Sequence, residues 1–339
     1  MDVFLQSYAP HNLPLVLGLA ASLLAVLGAG YGLMLGAHRW AIPCRIASWL
    51  LVALGFGVYN WLCAHEPPGI RMLLIIGVVL YAMKSVVAVE EAVASGLKLS
   101  LVQWMAWAGG WPGMDPHLFA RWRTDNHTPP PDTVPTASAF LGKGLVRLGI
   151  GALLMAMAHL AHAATGSLIL TTALALPGIS LVLHFGIFNL ACAFWRALGV
   201  PVYTLFPAPL ASYSLKEFWG KRWNLPFTEM IQRALYRPLS GPIGRKPAAL
   251  AGFTFSGLLH ECAISVPVQE GYGLPMAYFA IHGALVTAER TWNIADALEN
   301  RPVAARLWTL LWLGAPMAIL FHPPFLKGIV WPLVGVAAP

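Results

Sequence analysis

Long apolar runs constrain the fold of this chain more than any other feature of its sequence. Each is near the roughly 20 residues that a helix needs to cross a bilayer. The eight runs lie near 13–36, 46–64, 72–89, 148–165, 167–190, 248–268, 272–289 and 305–321. With 58% hydrophobic and only 10% charged residues, the composition excludes an ordinary soluble domain. We therefore expect an all-α, polytopic integral membrane protein.

Details of these runs refine the expected helix count and the position of the membrane. A ninth run, 328–338, holds Pro332 and is too short to cross alone, so we expect about eight to nine transmembrane helices. The run 167–195 is long enough to contain a break at Pro177-Gly178. Because the runs are unbroken and lack alternation with period two, they favour helices over a barrel.

Tryptophans mark many of the span ends. The chain has 14 of them, including Trp40, Trp61, Trp104, Trp111 and Trp331. Tryptophan is enriched where a membrane meets water, so we expect these residues to form an interfacial belt.

The cations predict the orientation. If the N-terminus lies outside, 18 of the 21 Lys and Arg residues fall on inner segments, with Arg71, Lys84 and Lys327 as the exceptions. The net charge of +7 then reflects topology and attraction to anionic lipid rather than nucleic-acid binding. Asp2, with no basic stretch before the first apolar run, favours a retained first helix over a cleaved signal peptide.

The four cysteines carry no motif. Cys44, Cys63, Cys192 and Cys262 lie mostly in or beside spans, with no C-x-x-C spacing. We expect them to be core residues.

Two polar inserts, 97–144 and 211–247, should lie on the cytoplasmic side. The first begins with an aromatic stretch at 104–116, expected to form an interfacial platform, and continues through a turn-rich loop at 125–132. The second holds seven Lys and Arg residues. Within it, 228–239 has an apolar and a cationic face, the pattern of an amphipathic helix lying on a membrane.

An ionisable pair, His260-Glu261, interrupts the apolar run 248–268. Ionisable residues inside a membrane span are functional candidates by default. Neutral imidazole, the form favoured there, is a competent base for a hydroxyl group that arrives within the membrane. Ser256, one turn earlier, is a candidate to hydrogen-bond the ring or to fill space. The alternative is that His260 is a packed interface residue. Glu261 needs polar partners of its own, for which a cation of the basic insert is a candidate.

Residues 218–224, Phe-Trp-Gly-Lys-Arg-Trp-Asn, form a dense aromatic and cationic segment. Lys221 and Arg222 supply charge where a phosphate-bearing donor would dock. Phe218, Trp219 and Trp223 offer faces for stacking or for the headgroup level. Asn224, just before Leu-Pro, is either a helix cap or turn residue, or part of a reaction centre.

These residues carry a family resemblance. Ser214 to Asn224 reads Ser-Leu-Lys-Glu-Phe-Trp-Gly-Lys-Arg-Trp-Asn, and Ser256 to Glu261 follows some three dozen residues later. Together they resemble the wax synthase branch of the membrane-bound O-acyltransferase superfamily, as does Trp111-Pro-Gly-Met114 in the first insert. The motifs cover about 150 residues, 111–261, and the remaining spans agree only in hydropathy and number.

The resemblance implies a single membrane-embedded acyltransferase domain over 1–339, with helices around a reaction chamber. It implies acyl-CoA, acetyl-CoA included, as co-substrate, no permanently bound cofactor, and a long-chain or terpenoid-like alcohol as acceptor. The family's histidine maps onto His260 as general base, and its Asn/Asp position maps onto Asn224. The remaining candidate substrate-binding residues are Phe218, Trp219, Lys221, Arg222, Trp223, Ser256 and Glu261.

Two rival functions stay open on the residues alone. His159, His162, His184 and His282 lie in or near spans, where paired histidines ligate haem or metals, although the expected His clusters are missing. Lys84, Glu90 and Glu91 mark either the ion path of a transporter or a structural charge cluster. We expect no metal site. With no Gly-x-Ser-x-Gly elbow, a covalent acyl-enzyme is disfavoured.

Overall fold

The structure, a computed structural model, describes residues 2–123, 135–298 and 300–337. Those residues form helices and connecting loops, with no β-strand among them. The predicted all-α, multi-pass membrane architecture is confirmed. Helices suit a membrane because they satisfy their backbone hydrogen bonds within one segment. Residues 125–132, predicted as a turn-rich loop, lie outside the described residues.

Seven helices among the described residues are long and apolar enough to cross a membrane. They span Leu13–Gly36, Ala41–Leu62, Pro68–Ser95, Ala137–Thr165, Leu168–Ala197, Arg245–Val268 and Pro302–Leu320. The eighth predicted span, 272–289, forms a helix but does not belong to this set, because polar residues at its C-terminal end lower its hydropathy. The short run 328–338 yields only brief helical turns, as predicted.

The helices are labelled in chain order. The first part of the chain contains α1 (Asp2–Tyr8), α2 (Leu13–Gly36), α3 (Ala41–Leu62), α4 (Pro68–Ser95), α5 (Leu101–Trp104), α6 (His117–Ala120), α7 (Ala137–Thr165), α8 (Leu168–Ser180) and α9 (Phe188–Ala197). The second part contains α10 (Leu215–Glu217), α11 (Leu225–Ile231), α12 (Arg237–Ser240), α13 (Arg245–Val268), α14 (Leu274–Thr291), α15 (Ile294–Ala297), α16 (Pro302–Gly314), α17 (Met317–Leu320), α18 (Pro323–Phe325) and α19 (Trp331–Leu333).

Local sequence sets where the long helices begin and end. Thr136 accepts a hydrogen bond from Ala139 N and starts α7, and Ser167 does the same for α8 through Leu170 N. Gly96 and Gly166 end α4 and α7 in the left-handed conformation, at φ 70° and 66°. These caps separate spans whose apolar sequence would otherwise read as continuous.

The predicted break at Pro177-Gly178 is wrong. Helix α8 runs through Pro177, and a π-helical turn over Leu181–Ile187 then leads into α9. Gly178 has a packing role, because a Cβ on Gly151 of α7 would lie 2.8 Å from its carbonyl oxygen. The two glycines let α7 and α8 approach closely.

Helix α4 is the centre of the bundle. Of its apolar window 61% is buried, against 17% for α2, α3 and α7. It packs against α2, α3 and α13. Polar groups on α4 are therefore in a position to hold other elements in place.

The two polar inserts meet at the C-terminal end of α4. Glu91, which is 6% exposed at its side chain, accepts from Arg233 Nε at 3.0 Å and from Arg237 Nη1 at 2.9 Å. Its other oxygen lies 2.8 Å from His117 Nε2 in the first insert. Arg233 also pairs with Asp115 at 3.1 Å. Glu91 therefore joins both inserts to the bundle. Its hydrogen bond with His117 raises the pKa of that histidine.

Lys84, two turns earlier on α4, is fully buried. Its ammonium donates to the carbonyls of Trp107, at 3.3 Å, and Trp111, at 2.8 Å, and to that of Gly113. It also lies 4.3 Å from the centre of the Trp107 ring. These contacts fix the aromatic stretch of the first insert and identify Lys84 and Glu91 as structural, as one of the two predicted alternatives held.

The predicted interfacial platform at 104–116 is wrong. Trp104 and Trp111 are buried, and Trp104 Nε1 donates to Leu27 O at 3.0 Å. Trp331 is buried as well, whereas Trp40 and Trp61 are exposed as the belt requires. The buried Lys84 side chain stabilises this arrangement through its contacts with the carbonyls of Trp107 and Trp111 and with the Trp107 ring.

The predicted amphipathic surface helix over 228–239 is also wrong. That stretch divides into α11, a π-helical turn over Gln232–Tyr236, and α12. Its cationic face packs on the bundle, because Arg233, 11% exposed at its side chain, and the more exposed Arg237 both pair with Glu91. Met230 and Ala234 are buried in the same core as α4.

The cysteines are free in the described residues, as expected of core residues. Cys44, Cys63 and Cys192 are buried, and Cys262 is half-buried.

The central role of Glu91 predicts a large difference between two neighbouring carboxylates. Glu91→Gln should lower the free energy of unfolding by about 3 kcal/mol, since it leaves the buried Arg233 short of a charge partner. Glu90→Gln is the matched control: its partner Arg45 is 40% exposed, so the expected loss is below about 1 kcal/mol. Denaturant unfolding of the purified protein in detergent measures both, and equal losses would contradict the assignment.

Candidate active site

His260 lies on α13, and its hydrogen bonding defines its tautomer. Nδ1 is 2.7 Å from the carbonyl oxygen of Ser256. A carbonyl only accepts, so Nδ1 carries the hydrogen and, in the neutral ring, Nε2 holds the free lone pair. No described residue hydrogen-bonds Nε2. The geometry therefore presents a neutral imidazole with its basic nitrogen available.

The contact between Ser256 and His260 differs from the one predicted. The Ser256 hydroxyl donates to Gly252 O at 2.8 Å, one turn back along α13. The backbone carbonyl of Ser256, not its side chain, orients the His260 ring.

Two phenylalanines flank the His260 ring. The centre of the Phe279 ring lies 4.3 Å away and that of Phe227 lies 5.3 Å away. Phe279 comes from α14 and Phe227 from α11. Sequence reasoning missed both, because neither belongs to a motif and both contacts are long-range.

Glu261 points to the start of α14. Its carboxylate accepts from Gly273 N at 2.7 Å and from Met276 N at 3.3 Å. Carboxylates stabilise helix N-termini, where backbone N–H groups lack partners. The expected cation partner from the basic insert is wrong, and the contacts make Glu261 a cap that fixes α14 against α13.

Asn224 holds a conformation that L-residues rarely adopt, with φ 47° and ψ 61°. Its backbone carbonyl accepts from Phe227 N at 2.9 Å, whereas its side chain makes no capping hydrogen bond. The capping alternative is therefore wrong for the side chain. Strain at a residue whose side chain is unengaged is typical of functional sites. Phe227, in the turn that Asn224 starts, packs on the His260 ring.

The aromatic residues of 218–224 pack inward. The rings of Phe218 and Trp223 stack with centres 5.5 Å apart, and Phe218 meets Trp219 edge-on at 5.0 Å. Trp219 lies against Phe279, the residue beside His260, at 5.5 Å. The expectation that these rings sit at headgroup level is wrong, because they build the wall behind the site.

The two cations of this segment have different surroundings. Arg222 Nε donates to Glu217 Oε1 at 2.7 Å, and Arg222 also reaches the carbonyls of Pro207 and Ala208. Lys221 is exposed. Arg222 thus shapes the loop, and Lys221 is the cation of the pair that faces outward.

The Trp111-to-Met114 stretch is tied to the second insert as well as to α4. Met114 N donates to Glu229 at 3.1 Å, and Tyr203 donates to the same carboxylate. Burial raises the pKa of Glu229. Burial, followed by the neighbouring Glu229 carboxylate, raises the pKa of Tyr203. Glu229 therefore joins the Trp111-to-Met114 stretch to α11, the helix that follows Asn224.

Helix α14 supports the site along its length. His282 accepts from Trp219 Nε1 at 3.2 Å. Glu289, buried near the C-terminal end of α14, accepts from Leu215 N at 2.9 Å and Lys216 N at 3.1 Å. Residues 214–224 are called the signature segment below. Glu289 holds its beginning and His282 holds its middle. The sequence signal for Glu289 was a carboxylate at the end of an apolar run.

The other intramembrane histidines do not gather into a ligand set. His159 Nδ1 lies 3.0 Å from Val334 O, and His184 Nδ1 lies 3.1 Å from the Ser180 hydroxyl. Among the described residues, no three His, Cys, Asp or Glu side chains come together as a metal site would require.

An apolar groove of about 560 Å³ lies between α13 and α14. Phe253, Thr254, Gly283, Ala284 and Thr287 are among the residues that line it. The Phe253 ring also faces Trp219, with centres 6.3 Å apart. One residue thus separates this groove from the wall of the site.

A family model agrees with this part of the chain. The Membrane bound O-acyl transferase family matches residues 202–281, which include both Asn224 and His260.

Curated relatives extend the similarity. The long-chain-alcohol O-fatty-acyltransferase of Simmondsia chinensis is 31% identical over 105 residues, 27% of this chain and 29% of that protein. Probable long-chain-alcohol O-fatty-acyltransferase 9 of Arabidopsis thaliana is 27% identical over 144 residues, 39% and 42% of the two chains. Acyl-CoA–sterol O-acyltransferase 1 of Arabidopsis thaliana is 28% identical over 129 residues, 33% and 37%. The chain thus spans less than half the length of each, and the resemblance stated above is confirmed.

The conformation of Asn224 predicts opposite effects on stability for two substitutions. Asn224→Gly should leave the free energy of unfolding unchanged or raise it, because glycine adopts φ 47° without strain. Asn224→Ala should lower it by about 1 kcal/mol, since alanine resists the left-handed region. Chemical denaturation in detergent measures both values. A large loss in the glycine variant would show that the amide side chain holds the turn.

Proposed function

We propose that this chain, a wax synthase-like member of the membrane-bound O-acyltransferase superfamily by its match over residues 202–281, is an acyltransferase. It transfers an acyl group from acyl-CoA to a hydrophobic alcohol. The product is an ester and the second product is free coenzyme A. The single observation that carries the proposal is the available Nε2 of His260, fixed by the 2.7 Å hydrogen bond from its Nδ1 to Ser256 O.

His260 acts as general base in this reaction. Nε2 takes the hydroxyl proton of the acceptor while the acceptor oxygen forms a bond to the thioester carbonyl carbon. The tetrahedral oxyanion then collapses, the carbon–sulfur bond breaks, and the leaving thiolate receives the proton from His260. The ring returns to its neutral form, so one residue serves both proton transfers.

Asn224 is the candidate donor to the oxyanion. Its side-chain NH₂ supplies hydrogen bonds that no described residue accepts in the resting protein. A donor aimed at such an oxyanion contributes about 2.7–4 kcal/mol to transition-state stabilisation elsewhere. The left-handed backbone at Asn224 sets the direction in which the side chain leaves the main chain.

The donor substrate approaches from the basic insert. Exposed Lys221 offers its ammonium to the phosphates of acyl-CoA. Arg222 contributes by keeping the 205–224 loop closed through Glu217 rather than by binding phosphate itself. The insert is cytoplasmic in this proposal, on the positive-inside distribution of the cations.

The acceptor is a lipid-soluble alcohol. The relatives are named for long-chain alcohols and, in one case, for a sterol. His260 lies within a helix apolar enough to span the membrane, which suits an acceptor that partitions into lipid. We propose long-chain alcohols first and terpenoid-like alcohols second.

His260→Ala should reduce ester formation on the order of 10²–10⁴-fold, because the base is lost. His159→Ala is the control: this exposed histidine contacts only the carbonyl of Val334 in the described chain and should change little. The measurement is free-thiol release from acyl-CoA by protein in proteoliposomes, with and without a long-chain alcohol. Near-normal rates in the His260 variant would end the proposed mechanism.

Asn224→Gly separates the side chain of Asn224 from its backbone. Glycine keeps the turn, so the rate should fall on the order of 10²–10³-fold through loss of the oxyanion donor while unfolding is unaffected. The same thiol-release assay measures kcat, and Asn224→Gln provides a longer amide for comparison. A glycine variant that keeps its rate would leave Asn224 with a conformational role alone.

A further inference from the structure

We propose that His282 is a positioning residue for the acyl transfer, acting through Trp219 on the wall that holds the His260 ring. The inference rests on the proposed function and adds a residue to it. The juxtaposition that carries it is a chain of four side chains: His282, Trp219, Phe279 and His260.

The first contact is a hydrogen bond between the half-buried indole of Trp219 and the buried ring of His282. Trp219 Nε1 donates to His282 Nδ1 at 3.2 Å, with ring centres 5.1 Å apart. His282 has no exposed surface. An indole N–H only donates, so His282 Nδ1 is unprotonated and Nε2 carries the hydrogen of the neutral ring.

The second set of contacts passes from Trp219 to His260. Trp219 packs on Phe279 at 5.5 Å between ring centres, and Phe279 packs on His260 at 4.3 Å. Phe279 and His282 lie three residues apart on α14 and therefore share a face of that helix. The backbone of Trp219 is held separately, since Thr228 Oγ1 donates to its carbonyl at 2.7 Å. The indole ring itself is held by packing on Phe218 and Phe253 and by its hydrogen bond to His282.

Four buried N–H groups without partners among the described residues bear on this pairing. His282 Nε2 is buried without a partner in the described residues, so an apolar side chain in its place would remove an unsatisfied donor. The indole nitrogens of Trp107, Trp111 and Trp312 are also buried without partners. The fold therefore tolerates unpaired indoles and pairs others, such as Trp104 and Trp195, with backbone carbonyls, whereas a histidine ring accepts from Trp219.

The consequence concerns the chemical step. With the acceptor removed, the Trp219 ring loses the contact that directs its N–H and can tilt within its aromatic surroundings, which shifts the surface behind Phe279. The His260 ring then loses one of its two flanking walls. Misplacement of a reacting group by about 1 Å costs on the order of 10²-fold in rate. Lys221, the exposed cation proposed to meet the acyl donor, is not one of these four side chains.

The test compares two substitutions of His282 in two backgrounds. His282→Leu removes the acceptor, whereas His282→Asn keeps a carbonyl oxygen near the position of Nδ1. We expect His282→Leu to lower kcat on the order of 10- to 100-fold with little change in the KM for acyl-CoA. His282→Asn should retain most of the rate. In a Trp219→Phe background, which has no indole to hold, His282→Leu should cause no further loss.

A spectroscopic readout makes the test independent of activity. In protein labelled with 5-fluorotryptophan, the ¹⁹F resonance that disappears in Trp219→Phe belongs to Trp219. It should shift or broaden in His282→Leu and stay close to its position in His282→Asn. His322→Leu is the matched control, because His322 is equally buried but bonds Ser265, away from Trp219.

Two results would overturn the positioning role. One is an equal loss of rate from His282→Leu with and without the Trp219 indole, and the other is an unmoved Trp219 resonance in that variant. Wild-type protein that forms no ester would instead overturn the proposed function and the catalytic role together. The fluorine spectrum would then still decide whether His282 holds Trp219.

Discussion

The buried charges of α4 are the constraint on which the rest of the structure depends. Glu91 and Lys84 lie in a helix apolar enough to span the membrane and are stabilised only by groups from other segments. Glu91 binds two arginines of the second insert and His117 of the first, and Lys84 donates to carbonyls of the first. Each insert is polar, and without these contacts to Glu91 and Lys84 it would lie unattached at the surface of the bundle. Their common anchor brings the Trp111-to-Met114 stretch and the signature segment to the same end of α4.

Helices α13 and α14 form the second half of the frame. Glu261, which follows His260 on α13, caps α14. This contact sets the position of α14 relative to His260. Phe279, His282 and Glu289 then follow along α14, and each contacts either His260 or the signature segment. His260 and the loop that carries Asn224 are therefore both held by the α13–α14 helix pair. Such a frame is what acyl transfer between two separately bound substrates requires.

Sequence reasoning reached the membrane architecture and the candidate residues because those signals are local. Apolar runs predict spans, and His260 stands out against its own run. The errors share one cause: local pattern does not say what packs on a residue. The cationic face of 228–239 meets Glu91 instead of lipid, the tryptophans of 104–116 surround Lys84, and Glu261 caps a helix instead of pairing with a cation. His282 and Glu289 act through tertiary contacts that no spacing announces.

The central claim is that the acceptor hydroxyl attacks the thioester directly with His260 as base. The most direct measurement supplies purified protein in proteoliposomes with acyl-CoA and an alcohol labelled with ¹⁸O, and analyses the ester by mass spectrometry. The account predicts that wild-type protein forms an ester that retains the label, and that His260→Gln forms almost none. Ester formation by His260→Gln at the wild-type rate, or an ester without the label, would contradict it.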